Sequence, residues 1–198
     1  MPKFEVEKFI PFEEPTQDGL GLVVHQKTLF HATASSINRD LSPKFVSGIY
    51  LSSQEEIAAR YAAAKFSKNQ EANSIILKTK IQNVRLLDLR TKENTRIILA
   101  GFKASLREKF ENSKLSWAAE TALQTTLQSL DLSKIKSGHL KEFLVGLGKD
   151  LAEYCESLGY DGLVTLEGGE GSALSRHDTY LIFNPKEVRV IEEKVLES

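Results

Sequence analysis

Short apolar runs bounded by glycine, proline or small polar residues lie near both ends of this 198-residue chain. Runs of this length and composition are typical of β-strands. They occur at "TLFHATAS" (28–35), "GIYLS" (48–52), "SIILKTKI" (74–81), "VRLLDL" (84–89), "GLVTLE" (162–167), "TYLIFN" (179–184) and "VRVIEE" (188–193). The turn residues Gln82 and Asn83 separate the third run from the fourth, which predicts two strands there. Residues 1–27 are predicted to form an arm with one short strand.

Helical periodicity occupies the positions between these strands. Ser53 followed by Glu56 has the spacing of a capping box, and predicts a helix with Ile57, Tyr61 and Ala64 on one face. Apolar residues at three- and four-residue spacing then predict three further helices. They are Leu99, Phe102, Leu106 and Phe110; Leu123, Leu127 and Leu130; and Leu140, Phe143, Leu147, Leu151, Tyr154 and Leu158, with Gly159 ending the last helix. The order of elements predicts one α+β domain over residues 1–198, with a helical insertion at 93–158.

Composition narrows the classes of protein that the chain can belong to. A net charge of −1, from 26 basic and 27 acidic residues, argues against a nucleic-acid partner. No apolar run has the length of a membrane span, and no signal-peptide core is present, so we expect a cytoplasmic protein, or one delivered elsewhere without a cleaved signal. The single cysteine, Cys155, excludes an internal disulfide, and the four histidines lack zinc-binding spacing, so no metal is expected.

Three residues at strand and helix positions have side chains suited to ligand binding. His31 interrupts an apolar strand and is followed by the small residues Ala32 and Thr33, which allow a ligand to approach the backbone. Tyr50 lies in a strand after Gly48, and Tyr61 lies on the following helix. Each residue alone is explained by core packing. Together, a strand tyrosine and a helix tyrosine can hold a flat ligand between their rings.

These residues carry a resemblance to a known family. "LFHATAS", "GIYLSSQEEIAARYA", "GYDGLV" and "HDTYLIFNP", in this order, resemble the His-Tyr-Glu branch of the ADP-ribosyltransferases, which includes diphtheria toxin and the poly(ADP-ribose) polymerases. The resemblance is strongest over residues 28–89 and 158–192, about half of the chain. It implies a split antiparallel β-sheet with an NAD+ cleft between its two halves. The helical insertion has no counterpart in the resemblance.

The resemblance also implies roles for individual residues. His31 would bond the adenosine ribose of NAD+, the backbone of Ala32 would hold the nicotinamide carboxamide, and Tyr50 and Tyr61 would enclose the nicotinamide ring. Alanine stands at 32 where the family usually has glycine, and Ala58 stands where some members have a serine. The remaining residues expected to line the NAD+ site are Thr33, Gly48 and Ser52.

The catalytic carboxylate of the family is the position at which this chain departs from the pattern. His177, Asp178 and Thr179 precede the apolar residues 180–183, and by the resemblance they mark the catalytic edge of the cleft. Thr179 stands where the family has glutamate. Successive strand residues point to opposite faces, so Asp178 replaces that glutamate only if a bulge rotates it inward. Glu170, in the glycine-rich stretch "GGEGSAL", is the second candidate, ranked after Asp178.

Three hypotheses about function follow from these residues. The first, which we favour, is a mono-ADP-ribosyltransferase that modifies a protein acceptor, with NAD+ as substrate and Tyr50, His31, Asp178 and Thr179 in the catalytic site. The second is an NAD+ glycohydrolase, with water as acceptor. The third is an inactive member that binds NAD+, ADP-ribose or a protein partner. The resemblance to small family members suggests a toxin or effector, and the helical insertion either covers the sheet or recognises the acceptor.

Overall fold

A computed structural model describes residues 12–34, 48–66, 74–112, 140–168 and 175–196. Seven strands, three α-helices and one 3-10 helix lie in these ranges, so the fold is α+β. In chain order they are β1 (Glu13–Pro15), β2 (Gly21–Ala34), β3 (Ile49–Ser52), α1 (Glu55–Phe66), β4 (Ser74–Asp88), α2 (Lys92–Glu111), α3 (Leu140–Ser157), β5 (Gly162–Glu167), β6 (His177–Ile182), the 3-10 helix (Pro185–Glu187) and β7 (Val188–Leu196). The predicted helix at Leu123–Leu130 lies outside the described residues.

The seven strands form one connected sheet around a long antiparallel pair, β2 and β4, which run together from Gly21 and Leu87 to Ala34 and Ser74. The other edge of β4 pairs with β7 along residues 74–81 and, in parallel, with β5 along residues 86–88. Strand β6 lies between β5 and β3, and β3 returns to β2, so that β2, β3, β6, β5 and β4 close a ring.

This topology differs from the predicted split antiparallel sheet, because the sheet is continuous and includes a parallel pair. The reason lies at Asn83, which was expected to form a turn between two strands. Asn83 adopts a left-handed φ of 52°, and the chain remains in the strand across it, so residues 74–88 form the single strand β4. One uninterrupted strand therefore joins the part of the sheet beside β7 to the part beside β5.

Apolar side chains that point into the ring make the first core of the protein. This core is Leu22, Val24, Leu29, Ile49, Leu51, Ile81, Val84, Leu86, Val164, Tyr180, Ile182 and Val188. Each strand of the ring contributes, because alternate residues of a strand share a face. Burying these side chains against one another removes apolar surface from water at about 25 cal/mol per Å², which favours closure of the ring.

Helices cover the outer face of the sheet. Leu99 and Phe102 of α2, with Leu151 and Cys155 of α3, pack against outward-facing residues of β4, β5 and β6, and Tyr50 of β3 joins this second core. Helix α1 packs through Ala58 and Ala62 on Ile76 of β4. Both α2 and α3 lie in the chain segment predicted as a helical insertion.

Two helix boundaries differ from the prediction. Leu158 was expected on the buried face of the last helix, but α3 ends at Ser157 and Leu158 is 42% exposed. The helix therefore ends one residue earlier than the apolar spacing indicates, and the left-handed Gly159, at φ 78°, follows its end as the sequence predicts. Helix α1 begins at Glu55, one residue after the start that a Ser53 cap implies, and the Ser52 hydroxyl accepts the Gln54 backbone N–H instead. None of the helices that the structure describes could cross a membrane.

Candidate functional site

Buried polar side chains are concentrated on the outer face of β3, β6 and β5. Ser52, Thr179 and Thr165 are neighbours across these three strands, and the next pair along β6 and β5 is His177 with Glu167. Each of the five is 7% exposed or less. Further along the same face lie Leu163 of β5 and Leu181 of β6, which belong to the apolar core under α2 and α3. The face therefore changes from apolar to polar toward the ends of β3 and β5.

Glu167 is the carboxylate at this polar end. It is the last residue of β5, and its side chain is 5% exposed. The hydroxyl of Tyr61, on α1, donates to its Oε2 over 3.1 Å. Burial of a charged group is costly without such hydrogen bonds. Sequence analysis did not single out Glu167, although a charged residue that ends the otherwise uncharged run "GLVTLE" was a signal for it.

Tyr50 approaches the same carboxylate from β3. Its ring is half-buried and packs against the core under α2 and α3. Burial, and then the negative charge of Glu167, raise the pKa of the Tyr50 hydroxyl to about 12. Tyr50 is therefore protonated at neutral pH and keeps its capacity to donate a hydrogen bond. The two tyrosines that the sequence analysis paired are brought to one carboxylate from different elements.

His31 is held where β2 and β3 meet. These strands are joined by the pair Phe30 and Ser52, and one residue further along β2 the Nδ1 of His31 lies 2.8 Å from the backbone oxygen of Tyr50. A carbonyl oxygen only accepts hydrogen bonds, so Nδ1 carries the proton and donates it. This contact fixes the imidazole ring of His31 beside Tyr50. Phe30, the preceding residue of β2, packs on the side of the sheet that faces α1.

Two buried polar atoms of this face find no hydrogen-bond partner within the described part of the chain. They are the Thr179 hydroxyl and the Nε2 of His177. The other ring nitrogen of His177, Nδ1, lies 2.8 Å from the backbone oxygen of Ser175. Buried polar groups in folded proteins are almost always paired, so these two neighbouring atoms are expected to bind ordered water or a polar ligand.

Asp178 lies on the opposite face of β6 from Thr179. Its Oδ2 accepts a hydrogen bond of 3.0 Å from Arg90, and Arg90 also binds Asp88. The hydrogen bond to Asp88, together with the charge of Asp178, raises the pKa of Arg90. The inward rotation that Asp178 would need does not occur, because β6 pairs regularly with β5 and β3 at this residue. Glu170, the second candidate, lies outside the described residues.

The other residues expected at the site are more dispersed. Gly48 lies at the far end of β3 from Ser52, where a Cβ would come within 2.7 Å of the Ile182 oxygen, so its small size serves the packing of β3 on β6. Ala32 and Ala58 belong to the contact between α1 and the sheet. Thr33 is buried in β2, opposite Ile75. Of these expected residues, only Ser52 lies among the buried polar side chains of β3, β6 and β5, where it neighbours Thr179.

Among the residues that the structure describes, no three histidine, cysteine or acidic side chains are placed to hold a metal ion. Cys155 is buried beneath α3, and burial raises the pKa of its thiol to about 12. A thiol in this state is a poor nucleophile.

Comparisons with known proteins identify no family. No family model matches the chain, and no curated protein matches it. A solved structure, the crystal structure of the M. tuberculosis MbcT-MbcA toxin-antitoxin complex, aligns with 90% of this chain and 88% of the other, at 13% identity and a TM-score of 0.47. A likeness this distant does not establish a shared fold.

Proposed function

We propose that the chain is an NAD+-cleaving enzyme that transfers ADP-ribose once to an acceptor, a mono-ADP-ribosyltransferase whose expected acceptor is a protein. The observation that supports it best is Glu167, a buried carboxylate that Tyr61 contacts and whose charge acts on Tyr50. Cleavage of the nicotinamide–ribose bond produces an oxocarbenium-like cation, as in glycoside cleavage. A fixed carboxylate beside the ribose stabilises that charge as it develops.

Glu167 takes the place of the carboxylate that is missing at Thr179. The two residues are diagonal neighbours on β5 and β6, since Thr165 pairs with Thr179 and Glu167 with His177. Diagonal neighbours on one face lie about 7–8 Å apart, within reach of a long side chain. A glutamate on β5 can therefore place its carboxylate near the same point as a glutamate at 179. In this proposal Asp178 is a structural residue of the Arg90 network, and Thr179 binds a ribose hydroxyl.

The nicotinamide end of NAD+ is assigned to the two tyrosines. Their rings approach Glu167 from β3 and α1, and an aromatic ring stacked on nicotinamide contributes about 0.5–1.5 kcal/mol beyond area burial. His31, held by the Tyr50 carbonyl, is assigned to the adenosine ribose, as the resemblance implies. Nicotinamide leaves with the electrons of the broken bond, and the ribosyl cation then reacts with the acceptor.

NAD+ glycohydrolysis is the second candidate function. The burial of Glu167 and His177, at 5% and 3% exposure, favours it, because a small acceptor such as water reaches a buried carboxylate more easily than a protein side chain does. Both reactions use the same residues and differ in the acceptor alone.

The test is nicotinamide release and protein labelling from radiolabelled NAD+, with and without cell lysate. Glu167→Gln should lower nicotinamide release by about 10²–10³-fold, the cost of removing one preorganised charge-stabilising group. Asp178→Asn is the matched control, since it neutralises a carboxylate at the same end of the sheet on its other face, and should retain release. Loss of activity in Asp178→Asn but not in Glu167→Gln would refute the assignment. A wild-type protein that releases no nicotinamide would refute the function itself.

A further inference from the structure

His177 has a buried acceptor nitrogen on the same face as Glu167. The ring is 3% exposed, and its Nδ1 lies 2.8 Å from the Ser175 carbonyl oxygen. Because that oxygen only accepts, Nδ1 carries the proton of the neutral imidazole. The lone pair of the neutral ring then belongs to Nε2, which binds nothing among the described residues. The backbone of Ser175 therefore selects the tautomer in which Nε2 is a base.

The position of this nitrogen relates it to the proposed chemistry. His177 pairs directly with Glu167 across β6 and β5, and it lies two residues from Thr179 on the same face. Directly opposed residues have Cβ atoms about 4.5–5.5 Å apart. The carboxylate assigned to the ribosyl cation thus has an imidazole base on one side and an unpaired hydroxyl, that of Thr179, diagonally beside it.

We propose that His177 is the general base for the acceptor and that the acceptor is a neutral hydroxyl, either water or an alcohol side chain. This inference rests on the proposed function. The nicotinamide–ribose bond breaks and its electron pair leaves with nicotinamide. The acceptor oxygen forms a bond to the ribose carbon, and its proton passes to Nε2 of His177 and then to solvent. No oxidant, reductant or further reactant is needed.

The class of acceptor follows from the presence of a base. A carboxylate acceptor is already ionised at neutral pH and gives up no proton when it attacks, so it needs no base. A hydroxyl becomes fully positive on attack unless its proton is removed, and a positioned base accelerates that step by about 10²–10⁴-fold. A buried imidazole of fixed tautomer beside Glu167 is therefore suited to hydroxyl acceptors and is not required for acidic ones.

The experiment compares acceptors that carry a proton with one that does not. Wild type, His177→Asn and His177→Gln are incubated with NAD+ in buffer, with methanol, and with sodium azide, and both nicotinamide and the ADP-ribosyl products are quantified. Asparagine keeps a nitrogen donor near the Nδ1 position for Ser175, and glutamine places an amide near the Nε2 position. Thermal unfolding of each variant is measured in parallel. His25→Gln is the control, because His25 faces Glu14 near the β1–β2 pair.

We expect both His177 variants to lose the water and methanol products by about 10²-fold or more, and azide to restore nicotinamide release. Azide is already an anion, so its attack needs no base. Azide should not restore nicotinamide release in Glu167→Gln, which loses the group that stabilises the ribosyl cation. It should not restore release in Thr179→Val either, because that variant loses the hydroxyl that positions the ribose. His25→Gln should behave as wild type.

Other results would overturn the inference. Equal losses with methanol and azide would make His177 a positioning residue, and unchanged rates would remove it from the reaction. Should both variants fail to fold, wild type still decides, since base catalysis predicts a normal solvent isotope effect on methanol capture and none on azide capture. Absence of that difference would overturn the inference. Nicotinamide release by wild type distinguishes each of these outcomes from failure of the proposed function, in which no release occurs.

Discussion

The hydroxyl of Tyr61, on α1, donates a hydrogen bond of 3.1 Å to Oε2 of Glu167, at the end of β5. The two residues are 106 positions apart in the chain. Helix α1 packs on the sheet through Ala58 and Ala62, and this bond connects it in addition to the end of β5. It also orients the carboxylate on which the proposed chemistry depends.

Replacing Tyr61 by phenylalanine removes this donor and keeps the ring. We expect the free energy of unfolding to fall by about 1–3 kcal/mol, because a hydrogen bond to a buried charged group contributes that much. Nicotinamide release should fall less than in Glu167→Gln, since the carboxylate remains. Urea unfolding and the release assay measure both quantities. Tyr154→Phe, which keeps the ring contact with Phe102, is the control. If Tyr61→Phe is as stable as wild type, the bond from Tyr61 to Glu167 contributes little to stability.

Tyr50 should bind NAD+ through its ring rather than its hydroxyl. Tyr50→Phe is expected to keep the affinity for NAD+ within about a factor of two, and Tyr50→Ala to weaken it by about 2–13-fold, the equivalent of 0.5–1.5 kcal/mol of stacking. Isothermal titration calorimetry measures the two dissociation constants. Equal affinities of the phenylalanine and alanine variants would remove the ring from the nicotinamide site.

Much of the fold could be predicted from the sequence because its signals are local. Alternating and helical periodicity locate β3, β5 and α3 to within one residue and the apolar face of α2 without its first two turns, and strands at both ends indicate the α+β class. The closed ring was not predicted, because it depends on β4 continuing through Asn83 instead of ending there. Strand β4 continues because it pairs with β2 on both sides of Asn83. No local sequence pattern records that pairing.

The candidate site could be predicted only in part for a similar reason. The order of His31, Tyr50 and Tyr61 carries a resemblance that draws attention to them. The sequence marks Glu167 only as a charged residue at the end of an apolar run, and its relation to His177 comes from the pairing of β5 with β6. Strand alternation already separated Asp178 from Thr179, and the regular pairing of β6 keeps them on opposite faces.

The pKa of Tyr50 leads to a prediction at alkaline pH. An unfolded tyrosine loses its proton near pH 10, whereas Tyr50 in the folded protein keeps it to about pH 12 because of burial and the charge of Glu167. Between these values the unfolded state binds fewer protons than the folded state, so stability decreases as pH rises. Tyr50→Phe should lose less stability over this range than wild type.

Two measurements check this expectation. Tyrosinate absorbance should show one fewer late-titrating group in Tyr50→Phe, and Glu167→Gln should lower the pKa of Tyr50 because it removes a negative charge. Unfolding in urea at pH 9 and at pH 11 gives the change in stability. A Tyr50 that titrates with exposed tyrosines in folded wild type would contradict the burial on which the prediction depends.

The Arg90 network should contribute to stability without contributing to the reaction. Arg90 binds Asp88 and Asp178, and its side chain is 25% exposed, so the pairs are partly screened by solvent. Arg90→Met leaves the two carboxylates without their common partner and should cost more stability than Asp178→Asn, which leaves the pair with Asp88 intact. A double-mutant cycle of the two changes, followed by urea unfolding, should give a coupling of about 0.5–1 kcal/mol. Additive changes in stability would show that the ion pair is not formed in solution.

NAD+ cleavage by folded Asp178→Asn should match wild type, because Asp178 lies on the face of β6 away from Glu167. A specific loss of catalysis in Asp178→Asn would return that residue to the reaction.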